Sequence, residues 1–283
     1  LCREYARKFV GVQAQEFKRL GVFADWENPY LTMSNSYEAT IVEELGKFVE
    51  SGAVYNGLKP VHWCTSCRTA LAEAEVEYAD HQSPTIYVKF PVKSGLNGQL
   101  GDVEPAKVNF IIWTTTPWTL PANLAVCLHP QFQYSAVEIG GEVYVVAEKL
   151  LSRLILEWDV KKHRVLGNCI GRDLEEVVCR HPFIDRDSRI VLGEHVTLEQ
   201  GTGCVHTAPG HGQEDYVVGQ KYNLETYNPV DDGGLFKSEV AEFGGLFVRK
   251  ADPLIVEKLR TDGYLVHGSK LNHSYPHCWR CHR

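Results

Sequence analysis

A chain of 283 residues can bury one large core or two ordinary ones. With 44% hydrophobic and 23% charged residues it has the composition of a soluble globular protein, not of a disordered or collagenous one. A net charge of −7 excludes a general attraction to nucleic acid, so any RNA contact falls to a local basic face. No apolar run is long enough to span a bilayer, and no signal-peptide pattern opens the chain. The only methionine is Met33, and the chain stops two residues after a Cys-x-x-Cys, so both ends read as cut edges.

Taken in order, residues 1 to 20 carry Tyr5, Phe9, Val12, Phe17 and Leu20 at roughly helical spacing, closed by Gly21. Asn28-Pro29 marks a turn, because the residue before proline avoids helix. A second helix is expected from Ser36, with Ile41, Leu45, Phe48 and Val49 on its buried face and Gly52 ending it. Val61 to Trp63 reads as a short strand leading into Cys64-x-x-Cys67. Ala72 to Tyr78 alternates apolar residues with glutamates, a strand period that continues past Pro84.

From Ser83 to His267 the texture changes to short β-rich runs divided by Gly, Pro, Asn and Asp. The expected strands are Val108–Trp113, Leu124–Leu128, Tyr134–Ile139, Val143–Ala147, Arg189–Leu192 and Cys204–Thr207. Gly140-Gly141 joins two of them as a hairpin. Helices are expected over Glu148–Glu157 and Lys250–Thr261. The whole reads as an α+β chain with a barrel-like β domain and helices outside it. The tail returns to a strand followed by Cys278-x-x-Cys281.

Nine cysteines, four of them in two Cys-x-x-Cys pairs, fit a reducing cytoplasmic compartment with one metal site better than a disulfide scaffold. Two such turns supply four thiolates, the set a structural Zn²⁺ ion prefers. Cys64, Cys67, Cys278 and Cys281 are the candidate ligands, with His62, His277 and His282 as flanking substitutes. If both pairs hold one ion, a β domain is inserted between the halves of a zinc-ribbon-like knuckle. This predicts residues 1–82 as a flanking helical segment and first half-knuckle, 83–267 as the β domain and 268–283 as the second half-knuckle.

Two further stretches carry polar groups suited to chemistry. Trp113 to Asn123, WTTTPWTLPAN, sets Thr114, Thr115, Thr116 and Thr119 at a strand end that Pro117 terminates. Stiff, β-branched threonines there are either a pre-oriented donor–acceptor row or a buried set that satisfies itself. Gly201 to Tyr216, GTGCVHTAPGHGQEDY, reads as a strand end feeding a loop with His206, His211, Glu214 and Asp215. It contains no nucleophile elbow, Walker loop or Rossmann glycine fingerprint. The alternative for this stretch is an ordinary Gly-rich surface turn.

These stretches, with KPVHWCTSCRTALAEAEVEY and HSYPHCWRC, resemble the isoleucyl-tRNA synthetase family over essentially the whole chain. The resemblance implies a class I enzyme that joins isoleucine to its tRNA with ATP and Mg²⁺. It implies that this segment is the connective insertion carrying the editing domain, with part of the synthetic domain's flank near LTMSNSYEA. The HIGH-type and KMSKS-type motifs of the synthetic site are not in the sequence, so by this reading the segment alone does not form aminoacyl-adenylate. The family's editing reaction hydrolyses valyl-tRNA. The resemblance implies Asp215 as the contact for the amino acid's ammonium and His206 as the wall of the side-chain pocket. It implies Thr114, Thr115, Thr116 and Thr119 as the groups that place the terminal adenosine, the ester and the attacking water, with Asn123 in support and His211 nearby as a further substrate contact. It further implies a monomer that meets the 3′ end of its tRNA and needs the remaining synthetase domains. The competing readings are a non-catalytic tRNA-binding zinc module and the editing domain of a valyl or leucyl enzyme.

Overall fold

A computed structural model describes every residue from Leu1 to Arg283. The chain divides into two compact units, Leu1–Gly57 and Leu58–Arg283. In the first, α1 (Cys2–Arg19) and α2 (Asn35–Glu50) are the only regular elements. Ser34, not Ser36, is the N-cap of α2; its hydroxyl accepts the Tyr37 N–H. Within this unit Arg3 donates to Glu38 and to the Met33 carbonyl. Neither helix has a buried residue. Ile41, Leu45, Phe48 and Val49 stay more than half exposed, so the face expected to be buried is not covered by α1.

The second unit opens with a small antiparallel hairpin of β1 (His62–Cys64) and β2 (Thr69–Leu71). The Ala/Glu run then behaves in two ways. Glu73–Glu75 forms one 3-10 turn, and β3 begins only at Val76 and runs to Ser94. The Glu75 carboxylate accepts the Ala72 N–H, which favours the turn over the alternating strand expected there. β4 (Val108–Thr114), β5 (Ala125–Leu128), β6 (Gln133–Ile139) and β7 (Glu142–Ala147) follow, near their expected bounds. Gly140 and Gly141 both take positive φ in the β6–β7 hairpin. A 3-10 turn at Glu148–Leu150 leads into α3 (Leu151–Glu157). β8 (Arg164–Ile170), β9 (Val178–Arg180), β10 (Asp187–Leu192) and β11 (Cys204–Thr207) complete the middle of the chain. Last come α4 (Gln213–Lys221), α5 (Val248–Thr261) and β12 (Leu265–Cys278).

The large sheet has the order β11-β5-β10-β9-β3-β4-β7-β6-β8, with β12 added to β3. It curls on itself. The Ala147 N–H donates to Thr202 O at 2.8 Å, and Cys204 Sγ approaches Val145 O at 3.6 Å, so the segment that starts β11 closes against β7. Gly203 sits at this seam with φ +78°, where a Cβ would stand 2.4 Å from the Ala147 methyl. The interior is filled by Phe90, Phe110, Ile112, Leu128, Tyr134 and Leu154, all fully buried. Tyr134 turns its hydroxyl to Gly203 O at 2.7 Å, which satisfies its one polar atom inside the core.

β12 pairs antiparallel with β3 from Leu265 opposite Val88 to Cys278 opposite Val76. That ladder carries the end of the chain back to its β1–β2 hairpin across more than two hundred residues. The architecture is the expected α+β, barrel-like one, with the two cysteine pairs united at its edge.

Candidate functional site

Cys64, Cys67, Cys278 and Cys281 have Sγ atoms that all lie within 4.8 Å of one another. Tetrahedral bonds of 2.3 Å to one ion would set sulfurs about 3.8 Å apart. The donor set and the spacing therefore fit a structural Zn²⁺ ion with no position open to substrate. All nine cysteines are free thiols. Of the flanking histidines, His282 Nδ1 faces Glu77 at 3.0 Å, His62 is exposed and His277 keeps Nδ1 buried without a partner; none of the three joins the four-thiol cluster.

The threonine row stands where β4 stops. Thr114 Oγ1 accepts the Thr116 N–H at 3.0 Å and lies 3.2 Å from Thr116 Oγ1. Pro117 then begins a 3-10 turn to Ala122, because a fixed φ and a missing N–H suit the first turn of a helix. Thr119 Oγ1 donates to Thr116 O at 2.8 Å, and the His206 ring meets that same hydroxyl through Nε2 at 3.0 Å. Asn123 Nδ2 donates to Ala125 O at 2.8 Å and faces His206 Nδ1 at 2.9 Å. A carbonyl can only accept, so the Asn123 amide nitrogen is fixed toward both. His206 Nδ1 is therefore an acceptor, and its Nε2–H donates to Thr119. Burial pushes the His206 pKa down to about 3. The ring is neutral, engaged through both nitrogens, and not a proton carrier near neutrality.

β11 delivers His206 to this corner. After Thr207 the chain turns through Ala208-Pro209-Gly210 and enters α4. The stretch read as a loop thus ends in a helix, and Asp215 lies in its first turn. Asp215 Oδ2 accepts the Ala208 N–H at 3.0 Å. Burial pushes its pKa up to about 6, against the lowering effect of that bond. The side chain is half-buried.

Thr115 and Thr116 line a cleft of about 620 Å³, together with Trp118, Arg249, Asp252 and Tyr275. Trp118, Gly210 and His211 line a second cleft of about 720 Å³ that reaches the knuckle. Asp215 and His206 line neither. The hydrogen bonds join His206, Thr119, Asn123, Thr114 and Thr116 into one cluster. Asp215 is tied to it through the short Thr207–Ala208 link. His211 packs edge-on against Trp118, ring centroids 5.1 Å apart, with Nε2 buried and unpartnered.

Three supporting residues have no signal in the sequence. His181, fully engaged, faces Leu120 O through Nε2 at 2.8 Å. The Arg186 guanidinium donates to Pro121 O and Asn123 O at 3.0 Å each. Asp252, on α5, accepts the Trp118 N–H at 2.8 Å. Each grips the 117–123 turn from a distant segment, so no local pattern announces it.

The family model described as "tRNA synthetases class I (I, L, M and V)" matches residues 1–267. The chain belongs to this family of class I tRNA synthetases. Within it, the sequence is 55% identical to isoleucine–tRNA ligase of Syntrophotalea carbinolica over 280 residues, 99% of this chain and 30% of that protein. It is 52% identical to isoleucine–tRNA ligase of Moorella thermoacetica, with the same shares covered. The chain thus spans about 30% of the length of the curated relatives it matches. The crystal structure of GlLeuRS-CP1 is similar in fold, with a TM-score of 0.52 at 16% identity, covering 68% of this chain and 99% of that one.

Proposed function

We propose that this chain is a segment of an isoleucine–tRNA ligase and that its β domain hydrolyses valine from mischarged tRNA. The whole enzyme, by this reading, uses ATP and Mg²⁺ to charge its tRNA, and residues outside this segment perform that step. A tRNA 3′ end is the partner of the β domain. Zinc in the knuckle has a structural role. A pocket gains only ~1–3 kcal/mol from one methylene, so a synthetic site admits some valine; isoleucine enzymes are the known case of this limit.

The observation that carries the reading is the chemistry of the corner. His206 is neutral, doubly hydrogen-bonded and buried, so it excludes bulk and does not take protons. The buried thiols are inert: burial pushes Cys127 and Cys169 up to about 12 and Cys179 and Cys204 well above their ordinary value. With no activated nucleophile, the groups present suit hydrolysis of an already activated ester by an oriented water. Asp215 has one oxygen held by Ala208 N–H, which leaves the other for the substrate's α-ammonium, a charge-assisted contact. Thr114, Thr115, Thr116 and Thr119 position the adenosine, the ester and the water. Asn123 holds His206, and His211 borders the approach to the site.

Deacylation of valyl- and isoleucyl-tRNA specific for isoleucine tests this reading. Hydrolysis of the valyl ester only, lost by at least ~100-fold in Asp215→Ala, is the expected result. Equal hydrolysis of both esters, or full activity in Asp215→Ala, refutes it.

A further inference from the structure

The turn that follows the threonine row is capped in an unusual way. Thr116 is its N-cap residue, and an N-cap threonine ordinarily bends its own hydroxyl to the N–H two or three residues on. Here that hydroxyl makes no cap bond. Pro117 has no N–H, so the first donors of the turn belong to Trp118 and Thr119. The Thr119 N–H is taken by Thr116 O at 3.0 Å. The Trp118 N–H is taken by Asp252 Oδ1 at 2.8 Å, from α5 and 134 residues away.

Asp252 is mostly buried, it is three residues beyond Arg249 on the same helix, and it lines the 620 Å³ cleft beside Thr115 and Thr116. Burial raises its pKa to about 6, against the lowering effects of the Trp118 N–H bond and, more weakly, of the Arg249 charge. Keeping a carboxylate there is costly unless its acceptor bond matters. A carboxylate at the positive end of a helical turn is also favourably placed.

We infer that Asp252 is a positioning residue: by capping the 117–122 turn from α5, it releases the Thr116 hydroxyl to face the cleft and Thr114. Without it, the Trp118 N–H is left to the acceptor that an N-cap threonine ordinarily supplies, Thr116 Oγ1. The threonine would then rotate into the cap and leave the cleft. The same bond anchors the Trp118 backbone and, through its indole, the contact with His211. The inference rests on the hydrolase reading for its consequence, but the cap itself is independent of it.

Two measurements on the full-length protein separate these. Amide exchange of the Trp118 N–H is slow in the unaltered protein and in Asp252→Asn, whose side-chain oxygen still accepts, and about tenfold or more faster in Asp252→Ala/Thr116→Ala, which lacks both acceptors. Valyl-tRNA hydrolysis follows the same order: kcat falls about tenfold in Asp252→Ala with KM within about twofold, and Asp252→Asn restores it. Thr116→Ala added to Asp252→Ala costs little more, because the hydroxyl is already lost to the cap. Unchanged Trp118 exchange in Asp252→Ala/Thr116→Ala overturns the cap. An unchanged kcat in Asp252→Ala overturns the positioning role. An Asp252→Asn variant as impaired as the alanine one shows that charge, not capping, is what counts, and also overturns it. If the unaltered protein hydrolyses neither ester, the hydrolase reading falls and the exchange arm still decides the cap.

Discussion

In the knuckle, Cys64, Cys67, Cys278 and Cys281 bring four thiol sulfurs together, whereas in the corner His206, Thr119, Asn123, Thr114 and Thr116 are joined by hydrogen bonds among themselves. Four thiols make poor hydrogen bonds, and on the proposed zinc reading their shared order depends on an ion that draws them together. The corner is ordered by its own bonds and by the barrel packed around it. One site is completed by what it binds, the other is built before anything arrives. The packing agrees: the knuckle has its own small apolar cluster of Cys64, Leu71 and Cys278, separate from the barrel core.

The largest effect follows from breaking the knuckle. Structural zinc contributes an apparent ~10–16 kcal/mol to the folding of small zinc modules. Cys278→Ser, or a strong chelator, is expected to abolish bound metal and unfold residues 62–71, while the barrel keeps its thermal transition. Metal analysis and peptide-level hydrogen exchange check this. Exchange rising equally throughout the barrel would erase the distinction between the two sites.

Next in size is His206→Ala. It leaves a cavity and strips Asn123 and Thr119 of their shared partner, at a cost of ~2–4 kcal/mol in urea unfolding. Loss of isoleucine exclusion should accompany it, read as hydrolysis of isoleucyl-tRNA. A stability change within about 0.5 kcal/mol would mean that the network does not order the corner.

Smaller still is the pH dependence. The folded pKa of His206 is about 3 and its ordinary value 6.5, so its neutral form stabilises the fold above pH 6.5. That contribution is lost as pH falls, at about 1.4 kcal/mol per pH unit for each such group. Asp215 works the other way. Its pKa rises from 3.8 to about 6, so acidification from 6 toward 4 relieves the cost of its burial. Asp215→Asn should therefore steepen the loss of stability between pH 6 and 4, and His206→Gln should flatten it. Unfolding free energies at three pH values decide the signs. Hydrolysis itself should fall as pH drops through about 6, because a protonated Asp215 no longer attracts an ammonium group.

Much of this fold is readable along the chain. β11 begins and ends at the residues expected, Cys204 and Thr207, because four β-prone residues stand between Gly203 and Ala208-Pro209. The β6–β7 hairpin follows from Gly140-Gly141 for an equally local reason. α4 escapes notice: Pro209, Gly210 and Gly212 dominate the stretch, yet they precede the helix and do not interrupt it. The exposed face of α2 marks the opposite failure, in which correct periodicity misjudges burial. Amphipathic spacing tells which residues share a face but not whether anything covers it.

What the sequence by itself determined was the inventory: the cysteine pairs, the threonine row, the His206 and Asp215 stretch and the β texture between them. Those signals are local, since they arise from turn chemistry, backbone freedom and ligand spacing within a few residues. The tertiary structure alone decided which of them meet. The β3–β12 ladder joins Cys64 to Cys278, and β11 carries His206 to Asn123 and Thr119. α5 supplies Asp252 to a turn 134 residues earlier. A hydrogen bond or a metal site depends on distances of a few ångströms, and only the closed sheet sets those between segments so far apart in the chain.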